Sequence, residues 1–169
     1  MARRAAKVQE YRAQNPHVLL LDAGNSLMGD MPPATSTMGA TSVEAMNRMN
    51  YDAMALALED LTLGIETLKT RMQEARFPFL SANVFIGQSK QLLAQAYVVL
   101  EIDGRRVALI GITEAGEVAG FTIADPLATT QKIVAEVSKQ ADIIVLLTHA
   151  SVSAAVSYTH LTLPTIYSV

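Results

Sequence analysis

The sequence predicts an α/β fold in which mixed β-sheets are flanked by helices. Short apolar runs alternate with segments in which apolar residues recur at helical spacing, and a hairpin signal stands at Asp103-Gly104. Strand and helix alternation is typical of sheets covered by helices. Half of the 169 residues are hydrophobic and 17% are charged, which favours one well-covered core over disorder.

Composition excludes several functional classes. A net charge of −3 provides no basic surface for binding nucleic acid. The absence of cysteine excludes disulfides and thiolate metal sites. The sequence shows no apolar run of about 18 residues, so no transmembrane helix is predicted. The first residues lack the apolar core of a signal peptide, and the compartment is left open.

The N-terminal part of the chain predicts two helices and one buried strand. Residues 2–14 are good helix formers that stop before Asn15-Pro16, and residues 18–21 form a continuous apolar run. Glycine and proline predict a long loop over residues 24–41. Ser42 is then expected to cap a helix that ends at Met49.

The remaining elements follow the same patterns. Strands are predicted over residues 53–56, 77–80 and 143–147, and a helix is predicted over residues 64–76. Residues 97–102 and 106–112 flank the turn at Asp103-Gly104 as a hairpin. Asp125-Pro126 is expected to open a helix that runs to about residue 139.

Polar side chains follow three of the predicted strands. Asp22 and Asn25 follow the first strand, Glu59 and Asp60 follow the second, and His149 follows the last. In open α/β sheets, ligands bind beyond the carboxyl ends of the strands. Asn25, Glu59, Asp60 and His149 are therefore expected to converge on one candidate site, and Asp22 is a further candidate ligand.

The last stretch differs from the rest of the chain. Residues 156–169 contain no Asp, Glu, Lys or Arg, and they resemble the peptide that results when sequencing-adaptor DNA is translated. We therefore expect a partial domain over residues 1–155 and a non-native tail over residues 156–169. The alternative is a genuine C-terminal strand, because β-branched tails do occur.

Four segments resemble the N-terminal catalytic domain of the 5′-nucleotidase family, within the calcineurin-like metallophosphoesterases. They cover residues 19–29, 43–55, 77–84 and 143–149 and include Leu-Asp-Ala-Gly-Asn and Ser-Ala-Asn. The resemblance implies a partial αββα sandwich, and a metal-dependent phosphoric monoester hydrolase that acts on nucleotides or related phosphoesters. It also implies a pair of divalent metals such as Mn or Zn, which activate water and clamp the reacting oxygens. Relatives are commonly periplasmic or extracellular.

The resemblance also shows where this sequence departs from the family. The bridging Asp of the family falls on Asn25, and its Gly-Asn-His-Glu motif falls on residues 57–60. The metal-binding Asn is therefore Leu58, and the acidic His is Glu59, whose charge would repel phosphate. His149 matches a ligand, while the opening Asp-x-His and closing Gly-His-x-His motifs are expected outside the chain. As written, the chain is not expected to assemble the two-metal centre.

Other interpretations of these residues stay open. Asn25 either binds one hard cation or shapes a turn, and His149 is either a ligand or a polar residue at a strand end. Glu59 and Asp60 either replace the lost ligands together with Asp22 or are solvated carboxylates near a helix start.

Asn83 is expected to hold a loop through side-chain hydrogen bonds.

Three functional hypotheses follow from these observations. The chain is an inactive piece of a nucleotide hydrolase, a family member that has lost catalysis and now binds a ligand or serves structure, or an unrelated α/β module with a similar framework. Substrate identity and oligomeric state are left open.

Overall fold

A computed structural model describes residues 2–28 and 32–151. The predicted tail over residues 156–169, and the alternative strand there, lie outside these residues. The helices are α1 (Ala2–Gln14), α2 (Pro32–Ser36), α3 (Ala40–Met49), α4 (Ile65–Glu74) and α5 (Pro126–Val137), with a 3-10 turn at Asp60–Leu63. The strands are β1 (Leu21–Asp22), β2 (Ala53–Ala55), β3 (Phe79–Leu80), β4 (Val84–Ile86), β5 (Tyr97–Ile102), β6 (Arg105–Thr113), β7 (Phe121–Ile123) and β8 (Ile143–His149).

These strands form three sheets. The first is parallel in the order β1-β2-β3, the second is the antiparallel pair β4-β7, and the third has the order β5-β6-β8. Strand β6 pairs antiparallel with β5 and parallel with β8. Asp103 and Gly104 both have positive φ, at 51° and 71°, as the two-residue turn of a hairpin requires. The predicted hairpin is confirmed.

The first and third sheets pack face to face. One core cluster contains residues from both sheets: Ala53, Ala55, Leu80, Val107, Leu109 and Leu147. The contact is very close at Gly111, where an added Cβ would lie 2.3 Å from the carbonyl oxygen of Leu80. Small residues in the middle of the strands therefore allow the two sheets to approach.

Helices cover the outer faces of these two sheets. Met54 belongs to the cluster formed with α3 and α4, which includes Val43, Met46 and Leu68. On the other side, Val137 of α5 packs with Ala108, Ile110 and Ile112 of β6. The layers are thus helix, sheet, sheet and helix, which confirms the predicted αββα sandwich.

The long loop that was predicted over residues 24–41 is wrong in part. It contains α2, and α3 begins at Ala40 rather than at residue 43. The residue before α3 is Gly39, at φ 82°, and Ser42 is buried within the helix, so the prediction of Ser42 as N-cap is also wrong. Gly39 packs closely on Leu27, which sets where the helix starts.

Strand β1 is shorter than the apolar run that predicted it. It covers Leu21 and Asp22 only; at Leu20 the carbonyl accepts from the Asp52 N–H at 2.8 Å, whereas the N–H donates to the Asp52 carboxylate at 2.7 Å. The predicted helix α5 is confirmed, and Asp125 caps it by accepting from the Ala128 N–H at 2.6 Å. Within residues 2–28 and 32–151, no helix has the length and apolar character needed to cross a membrane.

Candidate functional site

The carboxyl ends of parallel strands from the two packed sheets meet at one edge of the molecule. The Asn25 Nδ2 atom, after β1, lies 3.5 Å from the Nε2 atom of His149, at the end of β8. The Thr113 hydroxyl, at the end of β6, donates to the Leu56 carbonyl at 2.8 Å, just after β2. The structure therefore brings Asn25 and His149 together across the two sheets.

Asp22 shapes the loop that follows β1. Its carboxylate accepts from the Gly24 N–H at 2.9 Å and from the Ser26 hydroxyl at 2.9 and 3.0 Å. Gly24 has φ 112°, and an added Cβ would lie 2.8 Å from the backbone nitrogen of Ala57. Glycine is required here because the loops after β1 and β2 touch at this point.

Asp60 lies beneath the same loops with no exposed surface. Its carboxylate accepts from the backbone N–H groups of Asn25 at 2.9 Å, Leu27 at 3.0 Å and Ala57 at 3.0 Å. Burial disfavours the charged form and raises the pKa of Asp60, while the three N–H donors act in the opposite direction. The expectation of a solvated Asp60 is wrong, because the two loops close over it.

Glu59 and Leu58 have different surroundings. The Glu59 side chain is exposed, and its carbonyl accepts from the Thr62 hydroxyl at 2.6 Å. Leu58 packs against Gly116, where an added Cβ would lie 2.5 Å from the Leu58 Cδ2 atom. An apolar contact thus occupies the position at which the resemblance expects a metal-binding amide.

A second polar network lies behind the edge. The Asn83 amide donates to the carbonyls of Thr113 at 2.8 Å and Ala124 at 3.1 Å, and its oxygen accepts from the Thr113 N–H at 2.9 Å. This confirms that Asn83 fixes a loop. The roles of Ser26 and Thr113 were not predicted, although a polar residue at the end of the apolar run of β6 was a usable signal for Thr113.

Comparison with known proteins identifies the group to which this architecture belongs. No family model matches the chain. The human 5′-nucleotidase is 38% identical over 121 residues, which cover 67% of this chain and 20% of that protein. The 5′-nucleotidase of Vibrio cholerae is 29% identical over 163 residues, which cover 88% of this chain and 29% of that protein. The chain belongs to the 5′-nucleotidase family.

Solved structures agree with this family and with the calcineurin-like phosphoesterase fold. A 5′-nucleotidase precursor from Thermus thermophilus has a TM-score of 0.75 and 28% identity, covering 92% of this chain and 32% of its own. The fold is also that of the NAD nucleotidase of Haemophilus influenzae, with a TM-score of 0.79 and 24% identity over 91% of this chain and 32% of its own. This 5′-nucleotidase-family chain therefore spans about a third or less of these relatives.

The donor atoms of the candidate residues differ from the set that the resemblance implies for a pair of divalent metals. Within the described ranges, no three His, Asp or Glu side chains lie together as a possible metal group. Both oxygens of Asp22 and of Asp60 already accept hydrogen bonds within the loops. Asn25, His149 and the exposed Glu59 remain, and at the position of the bridging carboxylate the amide of Asn25 supplies no negative charge between two dications.

Proposed function

We propose that this chain derives from a nucleotide-hydrolysing member of the 5′-nucleotidase family and does not itself hydrolyse phosphoesters. The observation that supports the proposal is how Asp22 and Asp60 are engaged. Asp22 and Asp60 accept hydrogen bonds that hold the site loops, instead of facing outward as ligands.

The remaining site residues support the same proposal. Asn25 is neutral where a bridging carboxylate would offset the charge of two cations. Leu58 has no donor atom, and the negative charge of the exposed Glu59 opposes the approach of a phosphate group. A two-metal mechanism of phosphoester cleavage would therefore lack metal ligands at Asn25 and Leu58 and the general acid at Glu59.

A role as a binding domain is the second candidate, and one observation favours it. The half-buried Asn25, on a loop held by Asp60, lies beside the exposed His149 at the end of β8. An amide beside an imidazole offers both donors and acceptors to a ligand. A nucleotide or a related phosphoester is the first ligand to test, because the relatives are named as nucleotidases.

Metal content and AMP hydrolysis in Mn²⁺ test the first proposal on the purified chain. We expect no stoichiometric pair of bound metals and no turnover above buffer. The triple variant Asn25→Asp, Leu58→Asn, Glu59→His is expected to bind Mn²⁺ at least about tenfold more tightly, equivalent to about 1.4 kcal/mol. The matched control is Asn50→Asp, which makes the same exchange as Asn25→Asp at a residue with a similar φ of 53° outside the site.

Each outcome decides one part of the proposal. Uptake of two Mn²⁺ or Zn²⁺ ions with turnover by the unmodified chain would contradict the loss of activity. No gain of the triple variant over Asn50→Asp would contradict the placement of the family motifs. Calorimetry with AMP then separates the candidates, because saturable binding that is lost in His149→Ala supports the binding domain.

A further inference from the structure

Two carboxylates hold alternate residues of the loop after β1. Asp22 accepts from the Gly24 N–H and the Ser26 hydroxyl, whereas Asp60 accepts from the N–H groups of Asn25 and Leu27. Asp22 belongs to the strand that leads into this loop. Asp60 comes from the segment after β2 and joins the β1 loop from a distance of 33 and 35 residues in sequence.

Asp60 serves loops other than its own turn. It begins the 3-10 turn Asp60–Leu63, yet none of its three backbone donors lies within that turn. The third donor is the Ala57 N–H, in the loop after β2, at 3.0 Å. The carboxylate is therefore a link between two loops, and a general preference for acids at helix starts does not account for it.

Asn25 depends on this link for its conformation. It has φ 59°, a left-handed backbone conformation that residues other than Gly, Asn and Asp adopt less readily. Its N–H is held by Asp60, and two residues later Leu27 is held by the same carboxylate and is fully buried. Hydrogen bonds to a charged acceptor are about twice as strong as neutral ones, so the carboxylate offsets the cost of the left-handed backbone.

We propose that Asp60 is a positioning residue for the site formed by Asn25 and His149. It holds the Asn25 backbone in the left-handed conformation in which the Asn25 side-chain amide lies next to the His149 ring. The proposal goes beyond the proposed function, because it concerns the geometry of the free protein. It holds whether the site binds a ligand, binds a metal or does neither.

The experiment is NMR spectroscopy of the full chain without ligand. Two signals report the geometry: the cross-peak between the Asn25 side-chain amide and the His149 ring, and the coupling between the Asn25 amide proton and its Hα, which depends on φ. Cross-peaks of the β5–β6 hairpin report the remaining fold. Asp60→Asn replaces one acceptor oxygen by a donor, and Asp60→Glu keeps the carboxylate.

The matched control is Asp142→Asn. Asp142 also accepts from a backbone N–H, that of Arg106 at 2.8 Å, but it lies away from the site. We expect Asp60→Asn to lose the Asn25–His149 cross-peak while the hairpin signals persist. Asp60→Glu and Asp142→Asn are expected to keep the cross-peak.

Several outcomes would overturn the proposal. One is persistence of the cross-peak in Asp60→Asn, and another is its loss in Asp142→Asn. If Asp60→Asn does not fold, couplings across the hydrogen bonds from the N–H groups of Asn25, Leu27 and Ala57 to the Asp60 carboxyl carbon decide the question in the unmodified chain. Absence of those couplings would refute the link.

Discussion

The interior between the two packed sheets differs from the edge where their strands end. In the interior, Ala53, Ala55 and Gly111 are small because two backbones approach each other there. At the edge, Leu58 packs against Gly116 and Glu59 is exposed. We therefore expect steric restriction of substitutions in the interior and greater tolerance of a changed side-chain chemistry at the edge.

This difference bears on the proposal that the chain keeps the family fold while its metal ligands are replaced. Packing between sheets depends on volume, and a side chain that is too large collides with backbone. The loops at the edge depend on hydrogen bonds to Asp22 and Asp60, which do not involve the substituted residues Leu58 and Glu59. The hydrogen bonds that hold these loops therefore do not depend on the side chains of Leu58 and Glu59.

The largest effect is expected in the interior, at Gly111→Ala. The new Cβ would lie 2.3 Å from the Leu80 carbonyl oxygen, and backbone on both sheets would have to move. We expect the free energy of unfolding to fall by about 3 kcal/mol in urea denaturation. The control is Gly116→Ala, whose Cβ would meet the flexible end of Leu58, and it should cost less than about 1 kcal/mol. Equal losses would remove the distinction between interior and edge.

The next largest effect is expected for Asn83→Ala. Its amide satisfies the Thr113 N–H and the carbonyls of Thr113 and Ala124 in a buried position. Removal leaves these groups without their partner, and we expect a loss of about 2 kcal/mol by chemical denaturation. Asn15→Ala is the control, because Asn15 is exposed and donates only to the Tyr11 carbonyl at 3.0 Å. A loss no larger than that of the control would show that the network is dispensable.

Helix caps provide a smaller test. Asp125→Ala removes the side-chain bond to the Ala128 N–H and should lower the free energy of unfolding by about 1 kcal/mol. Ser42→Ala should change it by less than about 0.5 kcal/mol, since Ser42 lies inside α3 and does not cap it. Thermal denaturation monitored by circular dichroism measures both variants. A larger loss for Ser42→Ala would support the cap that the sequence alone predicts.

The smallest effect concerns pH and the ion pair of Asp142. Hydrogen bonding to Arg106 at 3.0 Å lowers the pKa of Asp142 below its ordinary value. The ionised pair therefore stabilises the fold above the unfolded pKa of roughly 3.9, and this contribution is lost as the pH falls through the lower folded pKa. Asp142→Asn should lower Tm slightly at neutral pH and not in strong acid. A difference that persists in acid or in high salt would exclude the ion pair as its cause.

Local patterns predicted many of the elements. The Asp103-Gly104 turn, the Asp125-Pro126 helix start and the apolar run of β8 each depend on neighbouring residues, and all three are confirmed. The start of α3 at Ala40 was missed, because Gly39 is placed by its packing on Leu27, twelve residues earlier in the sequence. The convergence of polar residues at strand ends was predicted, but the acceptor role of Asp60 was not.

The sequence by itself determined the family framework and the alternation of strands and helices, and it showed Asn25, Leu58 and Glu59 at positions where the resemblance expects other residue types. Only the tertiary structure decided that Asp60 is buried, that it links two loops, and that Asn25 lies 3.5 Å from His149. The physical reason is distance along the chain. Propensity and periodicity depend on near neighbours in sequence. The burial of the Asp60 carboxylate depends instead on hydrogen-bond donors such as the Leu27 N–H, which folding brings from 33 residues away.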